Sequence, residues 1–242
     1  MDELVLPPDS AAKLLRVFCF LRQHDRKARI VRKTTELTTW RLPPPISPTE
    51  DNTVLVTELA DDMEPNGPRG VGATSSAAPT MQELRSEIKE LQRGVIASSI
   101  DTSGFITAAD LSSCIRSLNR VPKKGEVQWM IWEVDDDLDG SVSWEEFKGC
   151  YIRTLLDSHG LELNQLYYLI QFLLCDTDSS QTVSADEITA ELQRIGGTEH
   201  LTAKLWSVLE GESEEQQLLR KLTLSEFLDA TLGDLPATFN LH

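Results

Sequence analysis

Hydrophobic residues recur at helical spacing from residue 80 onward, and short polar stretches separate the repeats. In the clearest case Val127, Met130 and Val134 fall at i, i+3 and i+7, which places them on one helix face. The pattern predicts eight helices, near residues 81–97, 107–119, 123–134, 144–157, 161–174, 185–195, 200–209 and 224–232. Joined at four loops, they repeat with a period of roughly 35–40 residues. No segment predicts a convincing sheet, so the expected fold class is all-α.

A separate amphipathic pattern precedes these repeats. Leu14, Phe18 and Leu21 fall on one side of a predicted helix within residues 9–30. A stretch rich in proline, glycine and serine then predicts a linker, which a short strand-like run at 53–59 interrupts. We therefore predict a basic, largely irregular N-terminal arm with one short helix, a linker, and two pairs of helix–loop–helix units, at residues 1–41, 42–79, 80–157 and 158–242.

The strongest motif is a twelve-residue acidic loop at residues 135–146, called loop 2 here. Its oxygen-bearing residues stand at positions 1, 3, 5, 7 and 12, in the order Asp135, Asp137, Asp139, Ser141 (through its carbonyl) and Glu146. Gly140 at position 6 permits the positive φ of a sharp turn. Calcium takes six to eight oxygen ligands, and this spacing supplies them. Loop 2 is therefore the first predicted Ca²⁺ site.

A second loop at residues 176–187, called loop 3, repeats this arrangement with one carboxylate fewer. The corresponding positions hold Asp176, Asp178, Ser180, Thr182 (through its carbonyl) and Glu187. Gln181 replaces the glycine at position 6, and a left-handed residue other than glycine costs about 1–2 kcal/mol. Two alternatives follow: a weaker Ca²⁺ site, or a structural loop without metal.

Two further loops have poor ligand sets. In loop 1, residues 99–110, either Ser99 stands at position 1, or Asp101 begins a shortened loop. In loop 4, near residues 210–226, the residues before Leu222 do not place ligands. Paired loops form a short ladder through position 8, which predicts Ile106 opposite Val142, and Val183 opposite Leu222. Loops 1 and 4 are therefore expected to support their partners without binding metal.

With these loops, residues 81–234 resemble the EF-hand superfamily, in particular the four-hand group of calmodulin, troponin C and centrin. The segment from Cys114 to Asn119, followed by Pro122, is similar to the calmodulin N-terminal lobe. The resemblance implies two lobes, each with a groove for a partner helix, and no catalysis. Only four methionines occur, whereas calmodulin-like grooves are rich in this residue, so we expect a dedicated partner.

Charge narrows the partners further. The chain has 39 acidic and 23 basic residues, a net charge of −16, so we predict no nucleic-acid partner. Nine of the bases lie in residues 11–41, against two acids. Four alternatives remain open for this arm: it docks on a protein partner, docks on an acidic lobe of its own chain, contacts a membrane surface, or stays a solvated helix followed by a flexible tail.

Other classes of protein find little support in the sequence. No apolar run reaches the roughly 18–20 residues of a membrane span, and the acidic Met-Asp-Glu start is unlike a secretory signal. The four cysteines lack CxxC spacing and are expected to be reduced core thiols in a cytoplasmic protein. No GxSxG, Walker A, HExxH or GxGxxG motif occurs, so no catalytic or organic-cofactor residues are predicted and no enzyme is expected.

Two functions are left open. The first is a calcium-binding regulatory or adaptor subunit that binds a protein partner, with helical segments as its targets. The second is a constitutive structural subunit of a cytoskeletal or ciliary axonemal assembly, with little or no calcium switching. Trp129, Trp132 and Trp144 are core aromatics or anchors for such a partner, and Trp144 is the favoured anchor because its loop position usually faces solvent.

Overall fold

The computed structural model describes residues 6–39, 80–96, 100–157, 165–195, 205, 207 and 220–232. Within these ranges the helices are α1 (Pro8–Leu21), α2 (His24–Thr39), α3 (Met81–Ile96), α4 (Ala108–Ser117), α5 (Glu126–Trp132), α6 (Trp144–Leu156), α7 (Gln165–Cys175), α8 (Ala185–Ile195) and α9 (Leu224–Leu232). Two three-residue strands, β1 (Thr182–Ser184) and β2 (Lys221–Thr223), complete the set. The all-α fold class is confirmed. The predicted linker, its strand-like run and most of loop 4 lie outside the described residues.

Capping side chains fix where several helices begin. At the start of α4 the hydroxyl of Thr107 accepts from the backbone N–H of Asp110, and the Asp110 carboxylate accepts from that of Thr107. Ser143 and Glu146 form the same reciprocal pair at the start of α6. Thr80 and Glu83 form a third such pair before α3, where the N–H of Thr80 donates to Glu83 Oε2 over 2.7 Å and the N–H of Glu83 donates to the Thr80 hydroxyl over 3.3 Å. These bonds satisfy N–H groups that a helix leaves without internal partners, which is why the pattern marks the boundary.

The N-terminal arm differs from its prediction, because it holds two helices with a break at residues 22–23. The apolar stripe of α1 is buried, with Leu14, Phe18 and Leu21 at most 1% exposed. In α2 no residue is buried, and this helix packs as a polar layer against α3 and α4, where Lys33 pairs with Glu87. The break lets each helix direct its own face toward the body, which one straight helix would not do.

Helix α1 lies against α4, α6 and α7, so the arm is docked on its own chain. Phe18 is the centre of this contact. Its ring lies 5.5 Å from the ring of Trp144 and 5.4 Å from that of Phe147, measured between centroids. Trp144 is half-buried by these rings, which disfavours the prediction that it is a solvent-facing anchor. Trp129 and Trp132 are the exposed pair, at 42% and 63%.

The loops pair as the sequence predicts. Ile106 and Val142 form an antiparallel bridge with two backbone hydrogen bonds of 2.9 Å. Val183 in β1 lies opposite Leu222 in β2. All four of these side chains are fully buried. Each ladder therefore joins two loops and fixes their relative register.

The cysteines and the apolar length of the helices bear on two other expectations. All four cysteines are buried and none forms a disulfide, as expected of core thiols. Burial raises the pKa of the Cys114 thiol to about 12, which keeps it protonated near neutral pH. In the part of the chain that the structure describes, no helix is both long and apolar enough to cross a membrane.

Candidate metal-binding loops

Loop 2 is held in a tight turn by its own first residue. Asp135 is 8% exposed, and its carboxylate accepts from the N–H of Asp139 over 3.1 Å and from that of Gly140 over 2.8 Å. Gly140 has φ +81°, as its place in the motif requires, and Leu138 also has a positive φ of 62°. These conformations turn the backbone around the carboxylates.

Three carboxylates of loop 2 converge. Oxygen atoms of Asp135, Asp137 and Asp139 lie within 4.8 Å of one another. The N–H of Asp139 lowers the pKa of Asp137, but desolvation and repulsion from neighbouring carboxylates outweigh this bond, so the net shift is upward. Because these acids repel one another at such short distances, a bound cation would stabilise the loop.

The other two residues predicted as ligands in loop 2 have internal partners. Ser141 donates from its N–H and its hydroxyl to Asp139 Oδ1, over 2.8 and 2.7 Å. Glu146 Oε2 accepts from the N–H of Ser143 over 2.8 Å, and its Oε1 accepts from that of Asp136 over 2.9 Å. The Glu146 carboxylate is not part of the cluster of three aspartates. To become a ligand it would have to exchange these bonds.

Loop 3 has the same backbone turn despite the missing glycine. Gln181 has φ +67°, and its N–H donates to Asp176 Oδ2 over 3.0 Å, which reproduces the bond of Gly140 in loop 2. The side chain of Gln181 is held from outside the loop, because Asn119 Nδ2 donates to its Oε1 over 2.8 Å. The expected departure at position 6 therefore changes the strain of the turn and leaves its shape intact.

In loop 3 the position-12 carboxylate belongs to the cluster. Oxygens of Asp176, Asp178 and Glu187 lie within 4.8 Å of one another. Desolvation raises the pKa of Asp176. Hydrogen bonds from Ser180 lower the pKa of Asp178. Burial acts to raise the pKa of Glu187, but hydrogen bonds from Ser184 and Thr177 bring it below its usual range.

Ser180 and Thr182, the other predicted ligands of loop 3, bind each other. The hydroxyl of Ser180 donates to the Thr182 carbonyl oxygen over 2.9 Å. This carbonyl is the predicted position-7 ligand, so a metal in loop 3 would compete with the hydroxyl. The donor sets of loops 2 and 3, carboxylates with a carbonyl and no sulfur or imidazole, fit a hard divalent cation.

Loop 1 contacts the N-terminal arm, which sequence reasoning missed. The bridge to Val142 places Ile106 at position 8. Asp101 Oδ1 accepts from the N–H of Ser103 over 3.0 Å, as the position-3 aspartates of loops 2 and 3 do from their position-5 residues, which favours Asp101 at position 3 over the shortened loop. Arg22 Nη1 lies 2.9 Å from Asp101 Oδ1. An excess of bases in the arm was the available signal, but it does not say which arginine contacts which acid.

Only the end of loop 4 falls among the described residues. Glu226 Oε2 accepts from the N–H and the hydroxyl of Thr223, each over 2.9 Å, as Glu146 does with Ser143. These bonds lower the pKa of Glu226. This end of loop 4 therefore begins α9 in the same way as loop 2 begins α6.

Comparisons with known proteins agree with this arrangement. Residues 102–154 match a family model described as an EF-hand domain pair. The chain is 29% identical over 123 residues to "Probable calcium-binding protein CML14" of Oryza sativa subsp. japonica, covering 50% of this chain and 70% of the relative. It is 28% identical over 132 residues to "Probable calcium-binding protein CML25" of Arabidopsis thaliana, covering 52% of this chain and 66% of the relative. Together with the bridge between loops 1 and 2, the match to the family model identifies residues 102–154 as an EF-hand domain pair.

Proposed function

We propose that the chain is a calcium-binding regulatory or adaptor protein, with loop 2 as its principal site and loop 3 as a weaker one. The observation that carries the proposal is the convergence of the Asp135, Asp137 and Asp139 carboxylates in a loop already turned at Gly140. Ca²⁺ prefers such clustered oxygen donors between two helices. The rice and Arabidopsis relatives are named as probable calcium-binding proteins, which supports the same ion.

The proposed ligands follow the two loops. In loop 2 they are Asp135, Asp137, Asp139, the Ser141 carbonyl and Glu146. In loop 3 they are Asp176, Asp178, Ser180, the Thr182 carbonyl and Glu187. A bound Ca²⁺ ion would supply the positive charge that offsets repulsion among these acids. Loop 3 is the weaker site because it has one carboxylate fewer and a strained residue at position 6.

The position of Glu146 supports a conformational response at loop 2. Its carboxylate bonds to Ser143 and Asp136 rather than joining the aspartate cluster. Recruiting it as a ligand moves the start of α6, which carries Trp144 and Phe147. Both rings contact Phe18 of α1. A shift of α6 therefore changes the contact between the body and the docked arm, and calcium affinity and arm docking become reciprocally linked.

The finer parts of this function concern the partner. We propose a protein partner that presents a helical segment, and a cytoplasmic setting. The exposed pair Trp129 and Trp132, whose ring centroids lie 5.2 Å apart, offers aromatic anchors on α5. We propose no catalytic role for any residue of the chain.

A second function has one observation in its favour. The chain's own α1 already buries Leu14, Phe18 and Leu21 against the body, as an internal target helix would. A surface filled in this way suits a constitutive structural subunit of a cytoskeletal or ciliary assembly. In that case calcium binding would leave the α1 contact unchanged.

Calorimetric titration of the full chain with Ca²⁺ in millimolar Mg²⁺ tests the proposal. We expect a dissociation constant within about 10⁻⁷–10⁻⁵ M, the range of sensor sites. Glu146→Gln removes one negative oxygen ligand and should weaken binding at least about tenfold, whereas the exposed neighbour Glu145→Gln should change it little. Glu187→Gln tests loop 3 in the same way.

The two functions predict different spectra. Trp144 fluorescence should change on titration if α6 moves against Phe18. Binding without a change in Trp144 fluorescence, or no binding at millimolar Ca²⁺, would replace the regulatory function with the structural one. Because the chain has five tryptophans, the Trp144→Phe variant identifies the part of the signal that comes from this residue.

A further inference from the structure

Loop 1 is built like the two candidate metal loops. Asp101 Oδ1 accepts from the N–H of Ser103 over 3.0 Å, and the corresponding bonds of loops 2 and 3 measure 3.2 and 2.9 Å. Gly104 has φ +83°, as Gly140 does at +81°. Loop 1 therefore presents its position-3 carboxylate in the same turn as its neighbours.

A cation from the same chain already contacts that carboxylate. Arg22 Nη1 lies 2.9 Å from Asp101 Oδ1 and 3.5 Å from the hydroxyl of Ser103, which are positions 3 and 5. The Arg22 side chain is only 6% exposed, and its guanidinium carbon lies 5.7 Å from the Phe18 ring centroid. The thiol of Cys19 donates to the Asp101 carbonyl oxygen over 3.4 Å. The end of α1 therefore contacts loop 1 through an ion pair with Asp101, through the Ser103 hydroxyl and through the backbone carbonyl of Asp101.

The arm also occupies position 12. Asp110 Oδ2 accepts from the N–H of Thr107 over 3.1 Å, which is its helix cap. Its other oxygen, Oδ1, accepts from the N–H of Asp25 in the first turn of α2 over 3.1 Å. In loop 2 the equivalent oxygen of Glu146 accepts from a residue of its own loop, Asp136. The arm therefore supplies donors to both acidic positions of loop 1.

We propose that loop 1 is a guanidinium site filled by Arg22, and that the corner between α1 and α2 serves as its permanent internal ligand in place of a divalent cation. Loop 1 has a serine at position 1, and Asp110 at position 12 is one methylene shorter than glutamate. A singly charged guanidinium needs fewer acids than Ca²⁺ and matches a carboxylate through its planar donors. Loop 1 thus anchors the arm whether or not loops 2 and 3 hold metal.

A matched pair of variants at position 3 tests this assignment. Asp101→Asn should lower the folding equilibrium constant of the metal-free chain about tenfold to a hundredfold, because Arg22 loses its charged partner in a buried setting. It should leave the number of Ca²⁺ ions bound per chain unchanged, because loop 1 holds none of them. Asp137→Asn, the same change in loop 2, should weaken Ca²⁺ binding without destabilising the metal-free chain, since it relieves repulsion. Urea unfolding and calorimetry give the two readings.

A second set of variants addresses the arginine. Arg22→Gln should cost at least as much as Asp101→Asn, because it also removes the contacts with Ser103 and the Phe18 ring. The double variant should cost little more than Arg22→Gln alone, because the two single variants share the ion pair. Arg16→Gln removes the same charge from an exposed position of α1 and should change the folding constant less than about twofold. If Arg22→Gln does not fold, Arg22→Lys keeps the charge and should retain part of the stability.

Several results would overturn the proposal. They are an Arg22→Gln effect equal to that of Arg16→Gln, additive losses in the double variant, or a fall in the number of bound Ca²⁺ ions with Asp101→Asn. Failure of Asp137→Asn to affect Ca²⁺ would count against the proposed function alone, because the guanidinium site does not depend on loops 2 and 3.

Discussion

Lys13 on α1 and Glu191 on α8 form an ion pair with 2.9 Å between nitrogen and oxygen, although 178 positions separate them in the chain. Glu191 is 3% exposed and also pairs with Arg194, whose guanidinium donates to the hydroxyl of Ser10. The first half of α1 is therefore tied to the helix that follows loop 3. Arg22 ties the opposite end of α1 to loop 1.

Removing the charge of Lys13 should loosen the first half of α1. A charge-assisted hydrogen bond contributes about 1.5–3 kcal/mol, and the 37% exposure of Lys13 reduces this through solvent screening. We expect Lys13→Gln to lower the free energy of unfolding by about 1 kcal/mol, measured by urea unfolding. Lys89→Gln, at an exposed position of α3, is the control. Equal losses in the two variants would contradict the pair's role.

Acid should weaken the same contact. Burial acts to raise the pKa of Glu191, but hydrogen bonds from Arg194 and Lys13 outweigh it and bring the pKa below its usual range. The ionised carboxylate therefore stabilises the folded state above the unfolded-state pKa of about 4.3. This contribution is lost as the pH falls through the lower folded-state pKa.

Thermal unfolding across this pH range tests that contribution. The stability difference between the wild type and Glu191→Gln should be largest near pH 7 and should shrink as the pH falls below about 4, because Glu191 takes up its proton first in the unfolded state and then, at its lower pKa, in the folded state. Parallel melting curves over the whole range would show that Glu191 does not contribute. The other acids titrate in both proteins and cancel in the difference.

Position 6 of loop 2 provides a test of backbone strain alone. Gly140 has φ +81°, and a Cβ added there would meet no atom within 4 Å. Gly140→Ala should therefore cost about 1 kcal/mol, from the left-handed conformation and not from a clash. Chemical unfolding of the metal-free chain measures it. A loss well above 2 kcal/mol would indicate a steric contact that this geometry lacks.

The reverse change is available in loop 3. Gln181→Gly should relieve about 1 kcal/mol of backbone strain at φ +67°. It also removes the hydrogen bond that the Gln181 side chain accepts from Asn119, which offsets part of this gain. Asn119→Ala measures that bond separately. We expect a small net stabilisation and tighter Ca²⁺ binding at loop 3. A destabilised Gln181→Gly chain, after correction for Asn119→Ala, would show that the turn is not strained.

Phe18 should contribute most of the energy that docks α1. It is fully buried between two aromatic rings, and truncating a buried phenylalanine costs about 3–5 kcal/mol. Phe18→Ala should reduce the free energy of unfolding by that amount and expose Trp144, which fluorescence would detect. Phe20→Ala, on the same helix at 40% exposure, should cost less than about 1 kcal/mol. Similar losses in both variants would contradict a docked α1.

The loops were predictable because each is specified within a short stretch of chain. A capping pair such as Ser143 and Glu146 acts over three positions, and the turn at Gly140 depends on the absence of a single Cβ. The pairing of Ile106 with Val142 followed from the shared loop register. The caps and turns depend only on neighbouring residues, and the pairing joins two consecutive loops of the repeat.

The docking of the arm was harder to predict, since an amphipathic helix indicates only that its apolar face packs against some other surface. The stripe of Leu14, Phe18 and Leu21 is compatible with burial against a partner, a membrane or the chain's own body. From its own loop position Trp144 is predicted to face solvent. In the structure Phe18, which lies 126 positions earlier in the chain, covers it. Many surfaces satisfy one apolar stripe, and the sequence does not rank them.

By itself the sequence determined the described helices after residue 80, the candidate ligands of loops 2 and 3 and the pairing of the loops. Sterics and hydrogen bonds over a few residues set the helices and turns, and the shared twelve-residue register sets the pairing. Only the tertiary structure decided that α1 docks on its own chain, that α2 is a separate helix, and that Arg22 meets Asp101. Such contacts depend on which complementary surfaces packing brings together, and one stretch of sequence does not encode that choice.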